Sequence, residues 1–278
     1  MRPIILLRTE TLVCLVAILG AAATLYAEDS KVLRLTVRTQ ELRQNEWGGN
    51  YWHVVETPRE LSAGETALLL CDVWDRHWSS GATRRVGEMA PRMNEVVRAT
   101  RSMGVFIIHA PSGTMDFYQD TPARKRMTEA PPSTMPPAQE HDDPPHPIDA
   151  SDQGSDTPDD KPHKAWSRQH PAIEIDQDAD GVSDSGQEVW NAMQERGIEN
   201  LIIMGVHTNM CVLGRSFAIK AMVTRGVNVL LLRDLTDPMY NPARPPYVDH
   251  EVGRQLMIGY VEKFWCPTID SRQLLPAE

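Results

Sequence analysis

The chain has 278 residues, of which 41% are hydrophobic, enough for one sizeable domain with appendages. Its formal net charge of -10 argues against a nucleic-acid binder. The sequence has no glycine-rich phosphate loop, so we expect no nucleotide cofactor.

The first 27 residues have the layout of a signal peptide. Arg2 and Arg8 make a basic start, an apolar run spans 11–23, and cleavage is expected after Ala27. The run is short for a membrane span, which favours cleavage over the alternative of an uncleaved anchor. We therefore expect an exported protein, periplasmic or secreted, with no stable membrane association after cleavage.

Downstream of this segment, 28–64 is interpreted as an N-terminal arm with a strand over Val32–Val37. The main domain covers 65–278 and contains a Pro- and Asp-rich insert at about 113–170. Ten of the 21 prolines lie within 131–171. A connection of this length without apolar periodicity is either disordered or a functional lid.

Four apolar runs predict the strands of the main domain. They do not alternate with polar residues, which indicates strands buried on both faces, as in a parallel sheet. Helical patterns that end near Gly104, Gly197 and Gly226 fill the gaps, so the fold class is α/β, a three-layer α/β/α domain with a mostly parallel central sheet. The runs cover 66–71, 105–109, 201–204 and 227–232, with weaker candidates at 171–175 and 264–269.

The third run leads directly into Gly-Val-His-Thr-Asn-Met-Cys-Val, which ends at Val212. This places Cys211 where a strand turns into a helix, at the carboxyl edge at which open α/β sheets keep their sites. Unpaired amides and the helix dipole at such a turn favour negative charge, so we expect a lowered thiol pKa there. The alternative is a small buried cysteine of the core.

Asp72 directly follows the first apolar run and reaches the same edge of the sheet. If the two strands are neighbours, Asp72 can accept the proton of the Cys211 thiol and later return it. The alternative is that Asp72 caps a turn. Past the signal segment the cysteines are Cys71, Cys211 and Cys266. Because this number is odd, at least one thiol stays free within the monomer, and a Cys71–Cys266 disulfide is left as an open alternative.

An apolar strand that ends in Asp, followed much later by this cysteine motif, resembles the isochorismatase-like cysteine hydrolases over roughly 65–270. The resemblance implies that Cys211 is the nucleophile, that Asp72 is the general base and then acid, and that the amides of His207 and Cys211 form an oxyanion hole. Members of the family often hold a cis peptide in this turn, which here is the Val206–His207 bond.

The family also uses a lysine on the strand before the helix that leads to the cysteine strand. In this chain that region, 173–181, contains no lysine. The candidate is Lys164 in the insert, provided that the insert folds over the cleft. Otherwise another group supplies the charge or the enzyme is weak or inactive.

The same region is acidic and matches the first part of a calcium loop. Oxygen ligands stand at loop positions 1, 3, 5 and 9 with Gly181 at position 6, whereas position 12 is Gln187 rather than Glu. We expect either a calcium site or a solvated acidic turn. The candidate ligands are Asp176, Asp178, Asp180 and Asp184.

Further side chains at the same edge are candidates for contacting substrate. His109 could instead cap its strand, and Asp75 and His77 could form a surface ion pair. The candidate substrate-binding residues are Asp75, His77, Trp78, His109, Thr208 and Tyr240.

The sequence thus predicts an exported hydrolase that cleaves an amide-like carbon–nitrogen bond of a small molecule through a Cys211 thioester, with no cofactor required for the chemistry. Two alternatives remain: a non-catalytic or calcium-dependent binding protein on the same fold, and a vinyl-ether hydrolase in which the cysteine is dispensable. A homo-oligomer is a further candidate.

Overall fold

The long non-alternating apolar runs form the centre of one eight-stranded sheet. The computed structural model describes residues 31–276, so the expected signal peptide, 1–27, lies outside the described residues. The strands are β1 (Val32–Gln44), β2 (Asn50–Ser62), β3 (Thr66–Cys71), β4 (Phe106–Ala110), β5 (Gly181–Val182), β6 (Asn200–Val206), β7 (Asn228–Asp237) and β8 (Thr268–Ile269). The helices are α1 (Ser80–Ser102), α2 (Met115–Tyr118), α3 (Pro122–Thr128), α4 (Gly186–Glu195), α5 (Cys211–Gly214), α6 (Ile219–Val223) and α7 (His250–Phe264).

The strand order is β2-β1-β8-β7-β6-β3-β4-β5. The six strands from β8 to β5 are parallel, and β1 and β2 add an antiparallel hairpin at the β8 edge. The predicted three-layer α/β fold is therefore confirmed. Among residues 31–276 no helix has the length and apolar character needed to cross a bilayer.

Alternate side chains of β3 face the two outer layers, because successive residues of a strand point to opposite sides of the sheet. Leu68 and Leu70 share one core with Met93 of α1. Leu69 shares the opposite core with Met193 of α4 and Val261 of α7. The central strands are buried on both faces, as their uniform apolar sequence requires.

Several element boundaries differ from the sequence prediction. Residues 171–175 form turns rather than a strand, and the strand of that region is the two-residue β5. Phe264 is the last residue of α7 and β8 starts only at Thr268, because Cys266 and Pro267 make the connection. The helix expected from Cys211 to Gly226 is broken into α5 and α6.

The register of β3 and β6 fixes the geometry of the carboxyl edge. Cys71 lies opposite Gly205, so Asp72 comes next to Val206. Gly205 has a φ of +122°, and a Cβ there would lie 2.0 Å from the carbonyl oxygen of Cys71. The two strands can approach this closely only because the position is glycine.

The insert contains α2 and α3 and then an irregular segment that packs against the main domain. The amide and hydroxyl of Ser167 donate to the Asp75 carboxylate, at 2.9 and 2.5 Å. Arg85 of α1 donates to Asp156 of the insert at 2.5 Å. The irregular segment is thus held on both sides of the sheet's carboxyl edge.

Candidate active site

Asp72 is a fully buried carboxylate at the carboxyl end of β3. Its backbone has a φ of +50°, a left-handed conformation that is uncommon outside glycine and is found at functional sites. The amide of Ser112 donates to Oδ1 at 2.8 Å. The Nε of Arg215 donates to Oδ2 at 3.0 Å, and its Nη2 lies 2.9 Å from the same oxygen in an ion pair. Both carboxylate oxygens are therefore fixed in direction.

Cys211 begins α5 after a tight turn that leaves β6. The Val206–His207 peptide bond in this turn is cis, as the family resemblance predicts. The amides of Met210 and Val212 donate to the His207 carbonyl at 2.9 and 3.1 Å. The side chain of Asn209 holds the turn against the chain that follows β7. The cysteine is partly exposed, unlike the two other free thiols of the described chain.

The thiol of Cys211 and the carboxylate of Asp72 lie close enough for each to shift the pKa of the other. Burial and the charge of Asp72 raise the pKa of Cys211 to about 12, and Arg215 and the His207 amide only partly offset this. Burial also raises the pKa of Asp72, against the charge of Arg215. The expectation of a lowered thiol pKa is wrong, because α5 is a single turn and the sulfur is largely removed from water.

The cation at the carboxylate is Arg215 rather than Lys164. The Nζ of Lys164 donates to the carbonyl of Gly113 at 2.8 Å and its side chain is exposed. The insert does fold over this edge, but it does not carry Lys164 to Asp72. Sequence reasoning missed Arg215, although its position four residues after the cysteine was a usable signal.

An aromatic stack lies beside the carboxylate. Trp74 stacks on Trp166 of the insert with ring centroids 4.4 Å apart, and His77 stacks on Trp166 at 5.8 Å. Burial lowers the pKa of His77 to about 4, so its ring is neutral near pH 7. A cavity of about 10 Å³, room for one water at most, lies beside Asp72 and His77. Trp166 is a second residue that the sequence did not indicate.

His207 packs its ring edge against His77, with centroids 4.8 Å apart. It is buried, and burial lowers its pKa to about 3. Behind it, Asp237 accepts hydrogen bonds from Arg85 at 2.8 Å and pairs with His250 at 2.9 Å. The side chain is therefore a neutral, buried element of the turn, and the His207 backbone amide acts to lower the pKa of Cys211.

Asp75, although it stands three residues after Asp72, is engaged by the insert. Partial burial acts to raise its pKa, but hydrogen bonds from Ser167 and Arg168 hold it below the ordinary value. Trp78 lies next to His77, at a centroid distance of 5.1 Å, and lines a separate surface cleft with the insert. Neither residue is among those that contact the Asp72 carboxylate.

Three other candidate substrate residues are buried and hydrogen-bonded within the protein. Thr208 shares a hydrogen bond of 2.7 Å with Thr236, and the hydroxyl of Tyr240 donates to the Arg244 carbonyl at 3.0 Å. His109 lies 3.0 Å from Asp180. All three are fully buried. Their contacts give them structural roles behind the edge of the sheet.

The four aspartates of the acidic loop do not converge. Asp180 is buried and its carboxylate is shared by Arg101 and His109. Asp176 accepts the amide of Asp178, and Asp184 accepts the amide of Gly113. Within residues 31–276 no cluster of three His, Cys, Asp or Glu side chains has metal-binding geometry.

The three thiols of the described chain are free. Cys71 and Cys266 are both buried and unpaired, so the structure does not form the disulfide that the sequence left open. Burial raises the pKa of each of them well above the ordinary value. Cys211 is therefore the thiol that solvent and small molecules can reach.

Comparison with known proteins places this geometry in a family. The family model described as "Isochorismatase domain" matches residues 66–241. A cysteine hydrolase from Pseudomonas syringae pv. phaseolicola is 15% identical, covers 77% of this chain and 94% of its own, and has a TM-score of 0.47. An isochorismatase family protein from Desulfovibrio vulgaris is 12% identical, with 76% and 96% covered and a TM-score of 0.41. No curated protein matches the sequence.

Proposed function

We propose that this chain, which belongs to the isochorismatase domain family, is an exported cysteine hydrolase that cleaves an amide-like carbon–nitrogen bond in a small molecule. The observation that carries the proposal is the pairing of Cys211 and Asp72 at one edge of the sheet, brought together by neighbouring parallel strands from distant parts of the chain. A nucleophile within reach of a base is the arrangement that covalent catalysis needs.

The thiol of Cys211 adds to the carbonyl carbon while its proton passes to Asp72. Because the thiol pKa is about 12, the proton stays on sulfur until the attack begins. The carbonyl oxygen becomes an anion that accepts hydrogen bonds from the amides of His207 and Cys211. The carbon–nitrogen bond then breaks, Asp72 gives the proton to the leaving nitrogen, and a thioester remains.

Water completes the cycle by adding to the thioester carbon. Asp72 takes a proton from this water, the carbon–sulfur bond breaks, and the proton returns to the sulfur as the acid leaves. Every proton and bond in this scheme is handled by the substrate, water and the chain's own residues.

We expect substrate to enter beside Arg215, whose side chain is 39% exposed. The aromatic stack of Trp74, His77 and Trp166 and the cavity beside Asp72, which holds one water at most, leave little room there. A flat or small acyl group suits an opening of this kind better than a polymer does.

Turnover of a panel of small primary and N-substituted amides tests the proposal. We expect Cys211→Ala to abolish hydrolysis, and iodoacetamide to label Cys211 before the buried thiols. Cys266→Ala is the matched control and should retain activity. A Cys211→Ala variant that remains active, on amides or on vinyl ethers, would contradict the thioester route.

Export is the second part of the proposal and depends on the first 27 residues alone. We expect the mature protein, recovered from the periplasm or the medium of an expressing cell, to begin at Glu28. An intact N-terminus on protein recovered from the cytosol would contradict export without affecting the catalytic proposal.

A further inference from the structure

Arg215 occupies the place at which a catalytic cation is needed. Its Nε donates to one oxygen of Asp72 at 3.0 Å and its Nη2 lies 2.9 Å from the same oxygen in an ion pair, while the Ser112 amide holds the other oxygen. The carboxylate is fully buried, whereas the guanidinium side chain is 39% exposed. The arginine thus connects the buried acid–base residue with the open side of the cleft.

The break between α5 and α6 puts the arginine there. α5 ends at Gly214, and Arg215 is extended, with φ of -66° and ψ of 152°. Its amide still donates to the carbonyl of Cys211 at 3.0 Å, so the two residues move together. From this extended residue the Nε of Arg215 reaches the Asp72 carboxylate.

Packing against α4 holds the broken segment in position. The hydroxyl of Ser216 accepts the amide of Gly186 at 3.0 Å. A Cβ at Gly186 would lie 2.3 Å from the Ser216 carbonyl oxygen, so the two backbones touch. The position of Arg215 is therefore set by tertiary contact, as expected for a residue that must hold a fixed geometry.

The charge of Arg215 acts on both members of the pair. It lowers the pKa of Asp72 and the pKa of Cys211, each against a larger effect of burial. A positive charge at this point favours the ionised base before the reaction and the anion that forms during it. Unlike lysine, a guanidinium does not give up its proton, so the proton taken from the thiol has no second acceptor beside Asp72.

We propose that Arg215 is the third catalytic residue of this enzyme, supplied from the nucleophile's own segment in place of the lysine that the sequence lacks. This assignment of Arg215 depends on the proposed cysteine hydrolase activity. The other explanation is that Arg215 only pairs a buried carboxylate, and would affect folding without tuning the reacting groups.

The test compares wild type, Arg215→Gln and Arg215→Lys, with Arg84→Gln as a control at an exposed arginine of α1. The rate at which iodoacetamide alkylates Cys211 is measured against pH, which needs no substrate. For an amide that the wild type hydrolyses, kcat/KM is also measured against pH. Thermal unfolding reports on folding.

We expect Arg215→Gln to lower kcat/KM by about 10²–10³-fold. The acid limb of its kcat/KM profile should move to higher pH, because without the charge of Arg215 the pKa of Asp72 rises. Alkylation of Cys211 should slow, because the thiol pKa also rises further. Arg215→Lys should retain most of the wild-type kcat/KM and most of the wild-type alkylation rate. If Arg215→Gln does not fold, the test depends on Arg215→Lys alone. We then expect its Cys211 alkylation rate to lie below that of the wild type by less than about tenfold.

The proposal is overturned if a folded Arg215→Gln keeps the wild-type alkylation profile and acid limb, or if a folded Arg215→Lys alkylates more than about tenfold slower than wild type. Failure of the proposed function looks different. In that case no amide is hydrolysed by the wild type, while the alkylation profiles still show whether Arg215 tunes the Cys211 thiol.

Discussion

The close approach of β3 and β6 at Gly205 makes a sharp prediction about Gly205→Ala. The new Cβ would lie 2.0 Å from the carbonyl oxygen of Cys71 and 2.8 Å from its carbon and nitrogen, where ordinary contact begins at 3.4 Å. All three atoms are backbone, so the strands must separate by more than ~1 Å. That movement occurs next to Asp72 and upstream of Cys211, and should therefore disturb the relative position of their side chains.

The expected decrease in the free energy of unfolding of Gly205→Ala has two parts. A non-glycine residue at a φ of +122° is strained by about 1–3 kcal/mol, and overpacking of a core costs about 1–3 kcal/mol. Together they amount to about 2–6 kcal/mol, against a total stability of about 5–15 kcal/mol for a typical domain. Urea unfolding measures this cost, and the rate of iodoacetamide labelling at Cys211 measures the effect on the site.

Gly197→Ala is the matched control. Gly197 also has a positive φ, +64°, but a Cβ there would meet nothing within 4 Å, so its cost is about 1–2 kcal/mol with no change at Cys211. The reasoning is refuted if Gly205→Ala unfolds within about 1 kcal/mol of Gly197→Ala and keeps the wild-type labelling rate.

Two more predictions concern buried groups. Asp180→Asn should cost about 3–5 kcal/mol because it leaves Arg101 without its counter-ion and removes the carboxylate that His109 contacts, whereas Glu174→Gln at an exposed pair should change little. If the loop bound calcium through Asp180, millimolar calcium would raise the melting temperature of the wild type but not of Asp180→Asn. The folded-state pKa of His207, about 3, is below the unfolded value of 6.5, so this residue should lower stability as pH drops below about 6.5, by about 2 kcal/mol at pH 5. Because the pKa of His77 is also lowered, to about 4, His207→Gln should lose only the His207 share of the pH dependence in urea unfolding, and an unchanged slope would refute this.

The meeting of Asp72 and Cys211 was predictable because it follows from general rules of parallel sheets. Uniform apolar runs are buried on both faces, and the residues that follow parallel strands gather at one edge. The sequence could not show that β3 and β6 are neighbours, which depends on strand order. Gly205 marks the contact only once the structure shows what lies opposite it.

The position of Arg215 four residues after Cys211 was a signal, but its ion pair with Asp72 depends on the folded structure. Residues 211–223 have the spacing of one helix, whereas the structure breaks it at Arg215, beside the contact between Gly186 and Ser216. Lys164 is the sequence candidate because lysine is the family's residue type. The prediction of a lowered thiol pKa is wrong for a related reason, since the burial of Cys211 that raises this pKa is a property of the folded chain.

The most direct test of the central claim is the pH dependence of Cys211 alkylation in wild type and Asp72→Asn. The charge of Asp72 raises the thiol pKa, so Asp72→Asn should label faster at about pH 8 while hydrolysis is lost. Each unit of lowered pKa gives about tenfold more thiolate but a weaker nucleophile, so the net gain is about threefold per unit. An Asp72→Asn profile identical to that of the wild type would show that the carboxylate and the sulfur are not coupled.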